Sequence, residues 1–117
     1  ILFPYTTLGY KVSSLQMVDG QTWVGTGRDN PGLVGTGTGV LVKTNIYPAA
    51  SYPIRNVHFR DLHFTNTNFN VIELHGSPDS SIENCTISVT GVSGKYALSQ
   101  ILSFLFRIVG NRITASG

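Results

Sequence analysis

All three histidines and four of the six acids fall between residues 58 and 83: His58, Asp61, His63, Glu73, His75, Asp79 and Glu83. Such side chains transfer protons near neutral pH. Glu73 and His75 stand two residues apart in the alternating segment Asn70-Val-Ile-Glu-Leu-His-Gly76. If that segment is a strand with Ile72 and Leu74 turned inward, Glu73 and His75 share its outer face. They are the candidate catalytic pair. Cleaving a glycan takes paired carboxyl groups, or a base plus a cation that stabilises an enolate. Asp61, Asp79 and Glu83 are the other acids in reach of such chemistry.

The elements that must position these groups show as an internal repeat. Asn56-Val-His-Phe-Arg-Asp-Leu-His-Phe-Thr-Asn66, Ser80-Ser-Ile-Glu-Asn-Cys-Thr-Ile-Ser-Val-Thr90 and Phe106-Arg-Ile-Val-Gly-Asn-Arg-Ile-Thr-Ala-Ser116 superimpose. Phe59, Ile82 and Ile108 align, then Leu62, Cys85 and Asn111, then Phe64, Ile87 and Ile113. The interval is 23 residues from Phe59 to Ile82 and 26 from Ile82 to Ile108. Each copy reads as strand, two-residue bend, strand, with bends at Arg60-Asp61, Glu83-Asn84 and Val109-Gly110. Asp, Asn and Gly tolerate the left-handed backbone that a sharp bend needs. About three short strands per repeat leave no room for helical crossovers. The expected fold is all-β: a right-handed parallel β-helix of about four to five rungs, each pairing with the rungs above and below.

That register sorts the outward side chains into columns. With Val57, Phe59, Leu62 and Phe64 inward, one column is His58–Ser81–Arg107 and another is His63–Thr86–Arg112. Such columns form a shallow groove in which a linear glycan could lie. Arg and His suit uronate or sulfate groups, so His58, His63, Arg107 and Arg112 are the candidate substrate-binding residues. Cys85 takes an inward position as a small hydrophobe. Asn111, in the same column, needs backbone partners if buried. Trp23 reads equally as a sugar platform, as core or as a rung cover.

The remaining chain divides into an opening segment 1–27, a Gly/Pro/Asn-rich loop 28–38 and rungs over 39–117. A second loop with two prolines covers 45–53. Leu98, Ile101, Leu102 and Leu105 have helical spacing, but Tyr96 to Leu105 is read as an irregular rung insertion.

Composition narrows the function. Charged residues are 12% of the chain and the net charge is +2, which does not point to nucleic acid. One cysteine allows no intrachain disulfide. The apolar run 101–109 is interrupted by Arg107 and is far shorter than the roughly 20 residues of a membrane span. The Gly32–Gly39 stretch lacks the Gly-Lys-Ser/Thr ending of a phosphate loop, and the histidines do not cluster as zinc ligands. No cofactor or metal is expected.

The segments Leu2-Phe-Pro4, Gly9-Tyr-Lys-Val-Ser13 and Gly20-Gln-Thr-Trp-Val-Gly-Thr-Gly27 occur in that order. With the Asn-Val-His-Phe-Arg-Asp-Leu-His-Phe and Ile-Glu-Asn-Cys-Thr-Ile units, they resemble the pectate-lyase-like superfamily, and within it phage tailspikes and capsule depolymerases. The resemblance implies a parallel β-helix in a virion tail or outside the cell. It implies a homotrimer that binds and degrades a bacterial surface polysaccharide as a glycoside hydrolase or lyase, with no nucleic acid and no membrane insertion. The family also holds noncatalytic spikes, lyases and epimerases, so a structural fibre or adhesin segment and a cellular lyase or epimerase are the alternatives. Family members have more rungs, so the chain is expected to be part of a longer protein.

Overall fold

The computed structural model describes residues 1–44, 54–91, 95–101 and 105–116. Segment 45–53, read above as a loop, lies outside the described residues. The described chain is all-β, with thirteen strands and no helix. All strand pairs are parallel.

The strands fall into three sheets in strict rotation. Sheet 1 holds β1 (Tyr10–Val12), β4 (Leu33–Gly35), β7 (His63–Thr67), β10 (Thr86–Thr90) and β13 (Arg112–Ser116). Sheet 2 holds β2 (Leu15–Gln16), β5 (Val42–Lys43), β8 (Ile72–His75) and β11 (Leu98–Ile101). Sheet 3 holds β3 (Thr22–Val24), β6 (His58–Arg60), β9 (Ser81–Glu83) and β12 (Arg107–Val109). The chain visits sheets 1, 2 and 3 in turn, about four times, and ends in sheet 1. This is the parallel β-helix expected from the repeat.

Inward columns make the core. Phe59 pairs with Ile82 and Ile82 with Ile108, while Phe64 pairs with Ile87 and Ile87 with Ile113. Val57, Phe59, Leu62, Phe64, Ile82 and Ile87 are buried. Trp23 is 3% exposed and packs edge-on to Phe59, so it is core and not a sugar platform. Phe3, Tyr10, Trp23, Phe59 and Phe64 form one chain of ring contacts, with centroids 5.4–5.6 Å apart. Cys85 is buried, which pushes its thiol up to about 11. Asn111 finds backbone partners: its side-chain oxygen accepts from Cys85 N–H at 2.7 Å, and Nδ2 donates to Ile82 O at 2.8 Å.

Each corner is made by a column of left-handed residues. Asp61, Asn84 and Gly110 have φ of 57°, 51° and 67° and turn sheet 3 into sheet 1. Asn68 opens the corner from sheet 1 to sheet 2 with φ 65°. Asn56, Asp79 and Leu105, with φ of 56°, 58° and 54°, lead into β6, β9 and β12. Asn and Asp dominate because their short polar side chains tolerate this region; a leucine there is strained.

Two segments differ from expectation. Loop 28–38 contains β4, which lies between β1 and β7 in sheet 1. Its glycines, read as loop residues, permit close packing: a Cβ on Gly32 would sit 2.1 Å from His63 O. Leu98–Ile101, with helical spacing, is β11, and all four residues pair with β8. A regular rung therefore takes the place of the expected insertion at these positions. Residues 102–104 lie outside the described residues.

Candidate functional site

The β-helix has three outer faces, and the candidate residues divide among them. Glu73 and His75 share the outer face of sheet 2, as their spacing predicts, and both are half-buried. Glu73 pairs in register with Lys43 and Ser99, and its carboxylate accepts from Asn70 Nδ2 at 2.8 Å. His75 Nε2 lies 3.2 Å from Ser99 Oγ. His58 and Arg107 stand on sheet 3, and His63 and Arg112 on sheet 1. The structure thus joins the binding candidates in two pairs and sets the catalytic candidates on a separate face.

Sheet 1 carries the column His63–Thr86–Arg112 in the expected register. The connection from β3 to β4 lies across it as a strap. Gly25 N–H and Gly27 N–H donate to Arg60 O and Asp61 O at 3.0 Å. Arg28 Nη1 reaches Gly110 O at 2.7 Å, three rungs away, and Arg112 Nη1 meets Asp29 Oδ1 at 3.0 Å. Thr86, the register partner of His63 and Arg112, is buried, and among the described residues its hydroxyl has no partner. Burial is the main force lowering the pKa of His63; the Arg112 charge acts with it, while Asp29 and a hydrogen bond to the Asn30 backbone oppose it. This face holds its own loop in place of open space.

Sheet 3 is different. Its outer face bears a cleft of about 480 Å³. Its polar lining includes His58, Arg60, Asp79, Ser81, Glu83 and Arg107. The ladder explains the arrangement. Thr22, His58, Ser81 and Arg107 form one outward column across four rungs, and Val24, Arg60, Glu83 and Val109 form the next. Parallel strands sit about 4.8 Å apart, so the polar groups repeat on a scale comparable with one sugar ring.

Within the cleft the side chains are ordered by hydrogen bonds. Ser81 Oγ lies 2.6 Å from His58 Nδ1. Asn56 Oδ1 lies 2.7 Å from His58 Nε2. Arg107 Nε is 3.4 Å from Glu83 Oε1, in an ion pair open to solvent. The sequence marked His58, Ser81 and Arg107 as one column. Asp79 and Glu83 stood among the available acids without a place on any face, and Asn56 and Arg60 were missed as site residues. Arg60 and Glu83 read as bend residues, whereas they close β6 and β9 and point outward. Asn56 carried a legible signal: it stands two residues before His58, at the corner that opens the strand.

Among the described residues, no group of three His, Cys, Asp or Glu side chains is placed to hold a metal ion. The chemistry on offer is hydrogen bonding, charge recognition and proton transfer. Comparison with protein families, curated proteins and solved structures finds no match to this chain.

Proposed function

We propose that the β-helix binds a linear polysaccharide along the outer face of sheet 3, as part of a tailspike-type protein directed at a bacterial surface glycan. The supporting observation is the cleft, whose polar columns run across successive rungs of a rigid sheet. Arg60 and Arg107 offer guanidinium groups for uronate or sulfate, while Asp79, Glu83 and Ser81 accept from sugar hydroxyls. In this reading the chain works as a homotrimer in a virion tail or outside the cell.

Degradation of the bound chain is the stronger form of the same reading. Asp79 and Glu83 are the carboxyl groups that line the cleft, one two residues before β9 and the other at its end. Glu73 and His75 lie on sheet 2 and would act on a different ligand path.

The reading is tested by titrating the protein against a panel of capsular and lipopolysaccharide glycans. Arg107→Ala should weaken binding about tenfold, or about 1.4 kcal/mol, and Arg112→Ala should leave it unchanged. Equal affinity in Arg107→Ala and wild type, or no binding across the panel, would sink the reading. Glu83→Gln and Glu73→Gln then separate the faces in a depolymerisation assay. Loss of cleavage in the first alone assigns it to the cleft.

A further inference from the structure

We infer that Ser81 is the nucleophile of an acyl-ester hydrolase site, with His58 as its general base and Asn56 as the residue that positions the imidazole. The hydrogen bonds suit one direction of proton flow. In the neutral ring, with the Asn56 amide oxygen turned to Nε2 at 2.7 Å, Nε2 carries the proton and donates it to that oxygen. Nδ1 then presents its lone pair to the Ser81 hydroxyl at 2.6 Å. That is the polarity by which a neutral histidine activates a serine. The ring nitrogens exchange the roles they hold in the serine proteases, but the logic of nucleophile, base and orienting acceptor is the same.

The fold holds the three groups in place. His58 and Ser81 are register partners on adjacent rungs. Asn56 occupies the left-handed corner two residues before His58, with φ 56°, and its side chain turns back to the ring. Arg107 is the register partner of Ser81 on the next rung and lines the same cleft, its Nε 3.4 Å from Glu83 Oε1. Turned from Glu83 toward the substrate, its guanidinium would stabilise the oxyanion that forms when the serine attacks. Ser81 is half-buried and lines the open cleft, so a substrate carbonyl can reach it.

The reaction balances with water as the only co-reactant. Ser81 Oγ attacks the ester carbonyl carbon and its proton passes to His58 Nδ1. The tetrahedral adduct collapses, the bond to the alcohol oxygen breaks, and the alcohol leaves with the proton from Nδ1. Water adds to the acyl carbon and gives a proton to Nδ1. The bond to Ser81 then breaks, Ser81 recovers the proton and a carboxylic acid is released. The substrate class, an acyl ester such as acetate on a sugar hydroxyl, rests on the glycan reading above; the acyl-transfer chemistry does not.

The experiment uses p-nitrophenyl acetate and a fluorophosphonate probe on the 117-residue chain. The probe should label Ser81, located by peptide mass spectrometry. Ser81→Ala and His58→Gln should each lower turnover about 10³-fold. Asn56→Ala should lower it about 10- to 100-fold, while Asn56→Asp, which keeps an acceptor, should restore most of the rate. Circular dichroism checks that each variant folds. If Ser81→Ala turns over ester as fast as wild type, or the probe leaves Ser81 unlabelled, the inference is overturned, and retained glycan binding would leave the earlier reading standing. If Ser81 is labelled and turnover falls as expected but no glycan binds, the hydrolase stands and the sugar-borne substrate is wrong.

Discussion

The columns His58–Ser81–Arg107 on sheet 3 and His63–Thr86–Arg112 on sheet 1 each stack a histidine, a hydroxyl and an arginine over three rungs. In the first, the hydroxyl meets its histidine at 2.6 Å and faces an open cleft. In the second, the hydroxyl is buried without a partner among the described residues, and the arginine is held by Asp29 of the chain's own strap. Alternation along a strand places a side chain outside the core, but the connections decide whether outside means solvent. A column is a candidate site only where no loop crosses it. Chemistry that looked duplicated in the sequence is therefore concentrated on one face.

The comparison breaks first at the strap. It re-enters sheet 1 through Gly32, where a Cβ would lie 2.1 Å from His63 O. That neighbour is backbone inside a ladder and cannot move aside cheaply. Gly32→Ala should cost about 1–3 kcal/mol in urea denaturation. Gly39→Ala, where nothing lies within 4 Å of the added carbon, should stay within about 0.5 kcal/mol of wild type. If the two variants are equally stable, the strap is not seated against His63 and the second column is not closed.

The same contrast shows what the sequence could tell. The rung register was legible because Phe59, Ile82 and Ile108 repeat with their flanking residues, and period-two alternation ties each neighbour to a face. The bends were legible because Asp61, Asn84 and Gly110 are the residue types that accept positive φ. β4 was not: three residues between glycines and a proline carry almost no pattern, and its pairing depends on β1 and β7. β11 was hidden because Leu98 and Ile101 fit a helix as well as a strand, and only the rung beneath decides. Of the site, the column was legible and the cleft was not. Nothing local in Arg28, Asp29 or Asn30 says that they cross sheet 1 and not sheet 3. Asn56 was legible as a neighbour of His58 by its spacing, but not as its hydrogen-bond partner, since that depends on the corner turning its side chain back to the ring.

The two hydroxyls provide a second separation, opposite in sign. Thr86 Oγ1 is buried with no hydrogen-bond partner among the described residues. Thr86→Val keeps the shape and removes the unsatisfied group, so it should raise stability by about 1 kcal/mol. Ser81→Ala removes a made hydrogen bond from a solvent-facing position and should lower stability by about 0.5 kcal/mol. A stabilised Ser81→Ala or a destabilised Thr86→Val in thermal melts would reverse the assignment of the two faces.

The smallest effect expected is in the pH dependence of stability, and it belongs to sheet 1. Burial lowers the pKa of His63 in the folded chain, Arg112 adds to the shift, and Asp29 and the Asn30 backbone oppose it. In the unfolded chain the ring titrates at about 6.5. Above that pH both states hold a neutral ring and His63 adds no pH dependence. As the pH falls below it, the unfolded state binds the proton first, so stability is lost until the folded ring protonates as well. His63→Gln removes this contribution. The thermal midpoint of wild type relative to His63→Gln should therefore fall between pH 7.5 and 5.5. The change should be small, because the ring is only half-buried and solvent screens its charge. Parallel midpoints across that range would mean that the strap does not desolvate His63. The two histidine columns would then differ in their hydrogen bonds alone.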